Sequence, residues 1–99
     1  MEKEIDYEGC AALLKALSHP VRLRIVHGLL TMGCRNVSCL ERSIGTSQSC
    51  ISQHLQKLRA AGAVSAERSG NEVYYHAASP RVARLVADLM EEEAEIYVL

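Results

Sequence analysis

The stretch Gly45-Thr46-Ser47 constrains this chain more than any other part of it. Residues 37 to 44 form a short apolar-periodic run that Asn36 or Ser38 can cap and Gly45 can end. Thr46 or Ser47 then caps a second run reaching about Ala61, with Ile51, Leu55 and Leu58 facing inward and Gly62 placed to close it. Two short helices joined by so tight a turn fit a helix-turn-helix. The polar side of the second helix carries Ser47, Gln48, Ser49, Ser52, Gln53, His54 and Lys57. Gln can contact adenine in the major groove, Ser can contact bases or phosphates, and Lys adds charge for phosphate. Taken alone, the same side chains also describe an ordinary solvated helix face.

The segment beyond that helix narrows the choice. Val64 to Arg68 and Glu72 to His76 are two short extended runs around Ser69-Gly70-Asn71, which reads as a β-hairpin. Its tip, Arg68 to Asn71, is basic enough to reach the DNA backbone or minor groove. Upstream, residues 8 to 17 place Ala11, Leu13, Leu14 and Leu17 at helical spacing. Ser18-His19-Pro20 breaks that helix and starts another over 20 to 32, with Val21, Leu23, Ile25, Val26, Leu29 and Leu30 on a broad apolar face and Gly33 at its end. Pro80 opens a final helix bearing Val82, Leu85, Val86, Leu89 and Met90. The expected fold is mainly α with a small β-hairpin wing, in the order α-α-α-α-β-β-α: a winged helix-turn-helix in a single domain over 1–99.

A chain of 99 residues with no Trp and no Phe builds one limited core from Leu, Val, Ile, Ala and Met, so pairing with a second copy helps its stability. No apolar run approaches the roughly 18 residues of a membrane span, and the acidic N-terminus has no signal-peptide core, which reads as cytoplasmic. The net charge of −1 looks wrong for a nucleic-acid binder, but its distribution does not. Residues 15 to 68 hold Lys15, Arg22, Arg24, Arg35, Arg42, Lys57, Arg59 and Arg68 against Glu41 and Glu67, while acidic residues gather at both ends. A basic middle can present one positive face to phosphate.

Three stretches together resemble the ArsR/SmtB family of winged-helix repressors, over almost the whole chain: Leu17-Ser18-His19-Pro20-Val21-Arg22-Leu23-Arg24-Ile25, Ser47 through Gly62, and Arg68 through Tyr75. The resemblance implies a homodimer built from the first and last helices, binding to an inverted-repeat operator in double-stranded DNA, and release when an inducer is sensed. It implies no enzyme activity. The residues agree, with no Cys-x-x-Cys, no phosphate-binding Gly loop and no convincing acid/base pair. One metal site of the family falls here on Ser79, Arg81, Glu92 and Glu95; Ser and Arg are not zinc ligands, so that site is expected to be absent.

The four cysteines carry the remaining chemistry. The family's metalloid site uses Cys-x-Cys at the start of the third helix, whereas here Cys34 and Cys39 stand five apart. A thiol sensor at Cys34 and Cys39 is the leading reading, because a helix N-terminus with Arg35 and Arg42 nearby favours thiolate at Cys39. Closing the pair would strain the start of the third helix. The alternative is a soft metal or metalloid held by Cys34, Cys39 and a third thiolate from Cys10, Cys50 or a partner subunit. No cofactor is otherwise required. Cys50 stands among the base-reading side chains and either switches directly or fills space, and Cys10 has the same two readings. Among the histidines, His19 is structural, His27 faces core or solvent, His54 reads DNA or packs, and His76 follows the second strand. No pair has metal-ligand spacing. A ligand-independent DNA-binding protein and a protein-interaction module remain the competing functions.

Overall fold

The computed structural model describes residues 4–32 and 35–91. Among the described residues, five helices and a two-stranded antiparallel sheet occur in the expected order: α1 Tyr7–Leu17, α2 Pro20–Thr31, α3 Val37–Ile44, α4 Gln48–Ala60, β1 Val64–Ser69, β2 Glu72–Ala77 and α5 Pro80–Leu89.

Each helix begins on a side chain that satisfies one of its free backbone N–H groups. Asp6, Asn36, Ser47 and Ser79 accept from Gly9, Cys39, Cys50 and Val82, and the His19 ring accepts from Val21 ahead of Pro20. Oxygen caps of this kind contribute about 1 kcal/mol each. Where the sequence allows two candidates, Asn36 and Ser47 are the caps. Gly45 (φ 84°) and Gly62 (φ 83°) take the left-handed conformation that ends α3 and α4, which a residue with a Cβ adopts only under strain.

Opposite the capped ends, the apolar stripes converge on one core. Ile25, Val26 and Leu29 of α2 meet Leu40 of α3, Ile51, Leu55 and Leu58 of α4, Val64 of β1, and Val82 and Val86 of α5, all at 2 % exposure or less. Gly28 is buried where α2 passes α3, with Leu40 the nearest neighbour of the Cβ it lacks. The hairpin pairs Val64 with Ala77 through Ser69 with Glu72, and Gly70-Asn71 closes it with positive φ at the glycine alone, the pattern of a type II′ turn.

Three residues of the expected apolar faces are outside this core. Ala11 and Leu14 of α1 and Leu89 of α5 are exposed, Leu14 at 56 % and Leu89 at 62 %. Beside Leu14, Cys10 and Leu13 of α1 and Arg81 and Leu85 of α5 line a shallow, nearly all-apolar groove of about 220 Å³. Helical periodicity reports that a face is apolar, not what covers it.

Candidate nucleic-acid interface and thiol groups

Burying Ile51, Leu55 and Leu58 fixes the rotation of α4 and turns its other side outward. Gln48, Ser49, Gln53, Gln56 and Lys57 are exposed on it, and Ser52 is half-buried. Ser49, Gln53 and Lys57 stand at i, i+4 and i+8, one continuous row along the helix. None of these side chains is tied by a hydrogen bond to another described residue, so their donors and acceptors face outward unspent. Ser47 differs, because its hydroxyl is committed to the cap. The wing adds Arg68 and Asn71, both exposed at the hairpin tip. Gln56 belongs to the same face, although it is not among the expected contacts; its signal is the i+3 spacing from Gln53.

His54 packs within the fold. It is half-buried on the flank of α4, its Nδ1 accepts from Arg22 Nε at 3.1 Å, and its ring stacks obliquely on His19 at 4.6 Å between centroids. Arg22 also donates to the Ala16 carbonyl at 3.3 Å. The cluster therefore ties α4 to the end of α1 and the start of α2. The His54 Nδ1 accepts, which requires that nitrogen to be unprotonated. Partial burial, then His19, then Arg22 hold the His54 pKa below its ordinary 6.5. A histidine shifted downward binds its proton less readily folded than unfolded, so its contribution to stability is complete above pH 6.5 and is lost as the pH falls through the lower folded value. The His54 contribution to the unfolding temperature should therefore be level above pH 6.5 and fall below it. His54→Asn, which keeps an acceptor near Nδ1 but does not titrate, should flatten the acid limb. An unchanged limb would assign the drop to other groups.

The cysteines separate into distinct environments. Cys50 is exposed and free in the first turn of α4, and hydrogen bonds from the Ser47 and Thr46 side chains lower its thiol pKa from 9.0. Cys10 is free and half-buried in the α1/α5 groove. Cys39 is half-buried in the first turn of α3 and is disulfide-bonded. Cys34 lies outside the described residues, as do Gly33 and positions 92–99 with Glu92 and Glu95. Among the described residues no three His, Cys, Asp or Glu side chains gather into a metal site. Ser79 is occupied as the α5 cap and Arg81 borders the groove. No helix among the described residues is long and apolar enough to cross a membrane.

Sequence reasoning misses a set of contacts between the start of α3 and the wing. Tyr75 N–H donates to the Arg35 carbonyl at 2.7 Å, Arg35 Nη1 lies 2.6 Å from His76 Nδ1, and Asn36 Nδ2 donates to Glu72 Oε1 at 3.4 Å. His76 Nε2 then faces Glu67 Oε1 at 3.4 Å across the hairpin. The partners lie 36 to 41 residues apart for the two side-chain bonds, a separation no local pattern encodes.

The arrangement has close relatives. A helix-turn-helix domain family matches residues 17–67. The nodulation protein NolR of Rhizobium meliloti is 38 % identical over 90 residues, 91 % of this chain and 73 % of that protein. The transcriptional repressor SmtB of Mycobacterium tuberculosis is 40 % identical over 88 residues, 89 % of this chain and 64 % of that protein. In three dimensions, the homodimeric winged helix-turn-helix DNA-binding domain Mb0332 of Mycobacterium bovis, described as a possible ArsR-family regulator, superposes with a TM-score of 0.78 at 33 % identity, covering 90 % of this chain and 86 % of that one.

Proposed function

The chain belongs to the ArsR/SmtB family of winged helix-turn-helix transcriptional repressors, DNA-binding regulators rather than enzymes, and from that premise we propose that it acts as a homodimer on an inverted-repeat operator and is released by oxidation at Cys34 and Cys39. The α4 row carries the DNA-binding part of this reading. Gln48, Ser49, Ser52 and Gln53 supply base-reading groups, Lys57 and the wing's Arg68 supply phosphate charge, and Asn71 sits at the wing tip. Ser47 acts through its cap. The exposed apolar groove between α1 and α5 supports the dimer, since it lies on the two helices that pair in the family and involves neither α4 nor the wing.

The state of Cys39 carries the sensing part. Of the four cysteines, Cys10 and Cys50 are free and Cys39 is disulfide-bonded, and the proposal pairs it with Cys34. Two thiols joining in a disulfide give up two protons and two electrons. A hydroperoxide accepts them by cleaving its O–O bond, leaving as water and an alcohol; hydrogen disulfide accepts them by cleaving its S–S bond, leaving as two molecules of hydrogen sulfide. The competing reading is a soft metal or metalloid held by Cys34, Cys39 and a third thiolate from Cys10, Cys50 or a partner subunit.

The experiment is a binding titration of the reduced protein on inverted-repeat DNA. Affinity should fall steeply with salt, as phosphate contacts release counterions. Hydrogen peroxide or polysulfide should lower it at least tenfold with a mass loss of two hydrogens, and dithiothreitol should restore it. In the double variant Cys34→Ser/Cys39→Ser, binding should persist and the oxidant response should vanish. A full response in that variant refutes the sensor assignment, and a response to arsenite with a metalloid adduct in place of the two-hydrogen loss favours the competing reading.

A further inference from the structure

We propose that Arg35 and Asn36 form a strap through which the thiol state at Cys39 sets the freedom of the wing. The inference rests on the sensor reading above and deepens it, by naming the element that the sensor controls.

Asn36 is the joint. Its Oδ1 accepts from the backbone N–H of Cys39 at 2.9 Å, and its Nδ2 donates to Glu72 on β2. One side chain therefore holds the sensor residue and the wing together. Arg35 supplies the second tie. In the register of the hairpin Tyr75 stands opposite Ala66, yet its N–H points away from β1 to the Arg35 carbonyl. Arg35 thus occupies one position of the free edge of β2, as a third strand would. Its guanidinium, which can only donate, engages His76 Nδ1, and the far side of that ring faces Glu67 on β1. The strap thereby reaches both strands within the space of two residues.

The direction of the effect is set by the state of Cys39. The strap is made while Cys39 is disulfide-bonded. With Cys34 as the partner proposed above, a disulfide at Cys39 closes a loop over residues 35 to 38 and restrains residues 35 and 36 within it. Beside the strap is an open crevice of about 250 Å³ between Asn36, Val37 and Ser38 of the α3 start, Gln48 of α4, and Asn71, Glu72, Val73 and Tyr75 of the wing. It separates the wing from the helix-turn-helix and leaves the hairpin room to move relative to α4. In the disulfide form the strap holds β2 to the α3 start. Reduction frees the segment, and the wing gains the freedom to follow the DNA backbone as α4 enters the groove. Release by oxidation is then a loss of wing accommodation, with α4 still folded and still facing outward.

Two measurements on the full-length protein test this. The first is amide exchange with and without dithiothreitol. The Tyr75 amide should exchange at least tenfold more slowly in the oxidised form, while the Leu55 amide in the core of α4 should exchange equally in both. The second uses the variant Arg35→Gln/Asn36→Ser. Serine retains a cap for Cys39 N–H but is too short to reach Glu72, and glutamine removes the guanidinium from His76. Titrated on the same inverted-repeat duplex, this variant should still lose two hydrogens with peroxide, yet its affinity should change less than threefold where the wild type loses tenfold or more. The ratio of affinities in the two states is the readout, so a uniform loss of affinity from removing one positive charge does not enter. A variant that loses the full tenfold, or a Tyr75 amide indifferent to reductant, overturns the strap and leaves the sensor standing. A wild type indifferent to every oxidant overturns both. Should the variant fail to fold, the exchange measurement on the wild type still decides.

Discussion

Replacing Gln53 by Ala is expected to weaken operator binding about 30-fold or more while leaving the unfolding midpoint unchanged. A well-placed amide–adenine pair discriminates by about 1–3 kcal/mol. In a two-fold symmetric dimer on an inverted repeat the substitution enters twice, so the loss is about 2–6 kcal/mol, or 30-fold upward at 1.4 kcal/mol per tenfold. Gln53 is exposed and bonds to no described side chain, so the folded state does not depend on it. Surface substitutions of that kind usually change stability by no more than about 0.5 kcal/mol. Anisotropy titrations on an inverted repeat and on an unrelated duplex separate the two components. The loss should fall on the specific duplex, whereas Lys57→Ala should weaken both alike and flatten the salt dependence. An equal loss on both duplexes for Gln53→Ala would remove it from base reading.

Leu58→Ala, five residues further along the same helix, is expected to do the reverse. Leu58 is fully buried, and truncating a buried leucine costs about 2–5 kcal/mol through lost transfer energy and the cavity left behind. That is a large part of the roughly 5–15 kcal/mol that holds a domain together. Urea unfolding at fixed protein concentration, a condition a dimer requires, should show the midpoint falling with little change in slope. Where the variant is still folded it should retain near wild-type affinity, because the outward row of α4 is untouched. Normal stability would mean that the core closes over the missing methyl groups.

Much of this architecture is legible in the residues, for reasons that are local. Gly45 and Gly62 end helices because their backbones turn left-handed, and Asn36, Ser47 and Ser79 start them because a short polar side chain reaches back to a free N–H. The inward set Ile51, Leu55 and Leu58 comes from helical spacing and fixes the outward row by subtraction. What periodicity does not show is the partner of an apolar face, so Ala11, Leu14 and Leu89 read as core and lie at the surface. Nor does it show pairs brought together only by folding. Nothing near position 54 announces that His54 receives a hydrogen bond from Arg22, 32 residues away. Nothing near Asn36 announces Glu72. The cap at Asn36 is readable because it spans three residues, and the strap is not because it spans thirty-six.

The division of α4 into a sealed side and an unspent side has an evolutionary consequence. Gln48, Ser49, Gln53 and Gln56 hold no other described side chain in place, so they are free to drift without endangering folding. A duplicated copy of such a chain could acquire a new genomic address by a few changes in that row, while Ile51, Leu55 and Leu58 stay fixed. The two faces answer to different selective pressures although they share one backbone. Descendants of one ancestral chain should therefore diverge fastest along that row and keep the same scaffold beneath it.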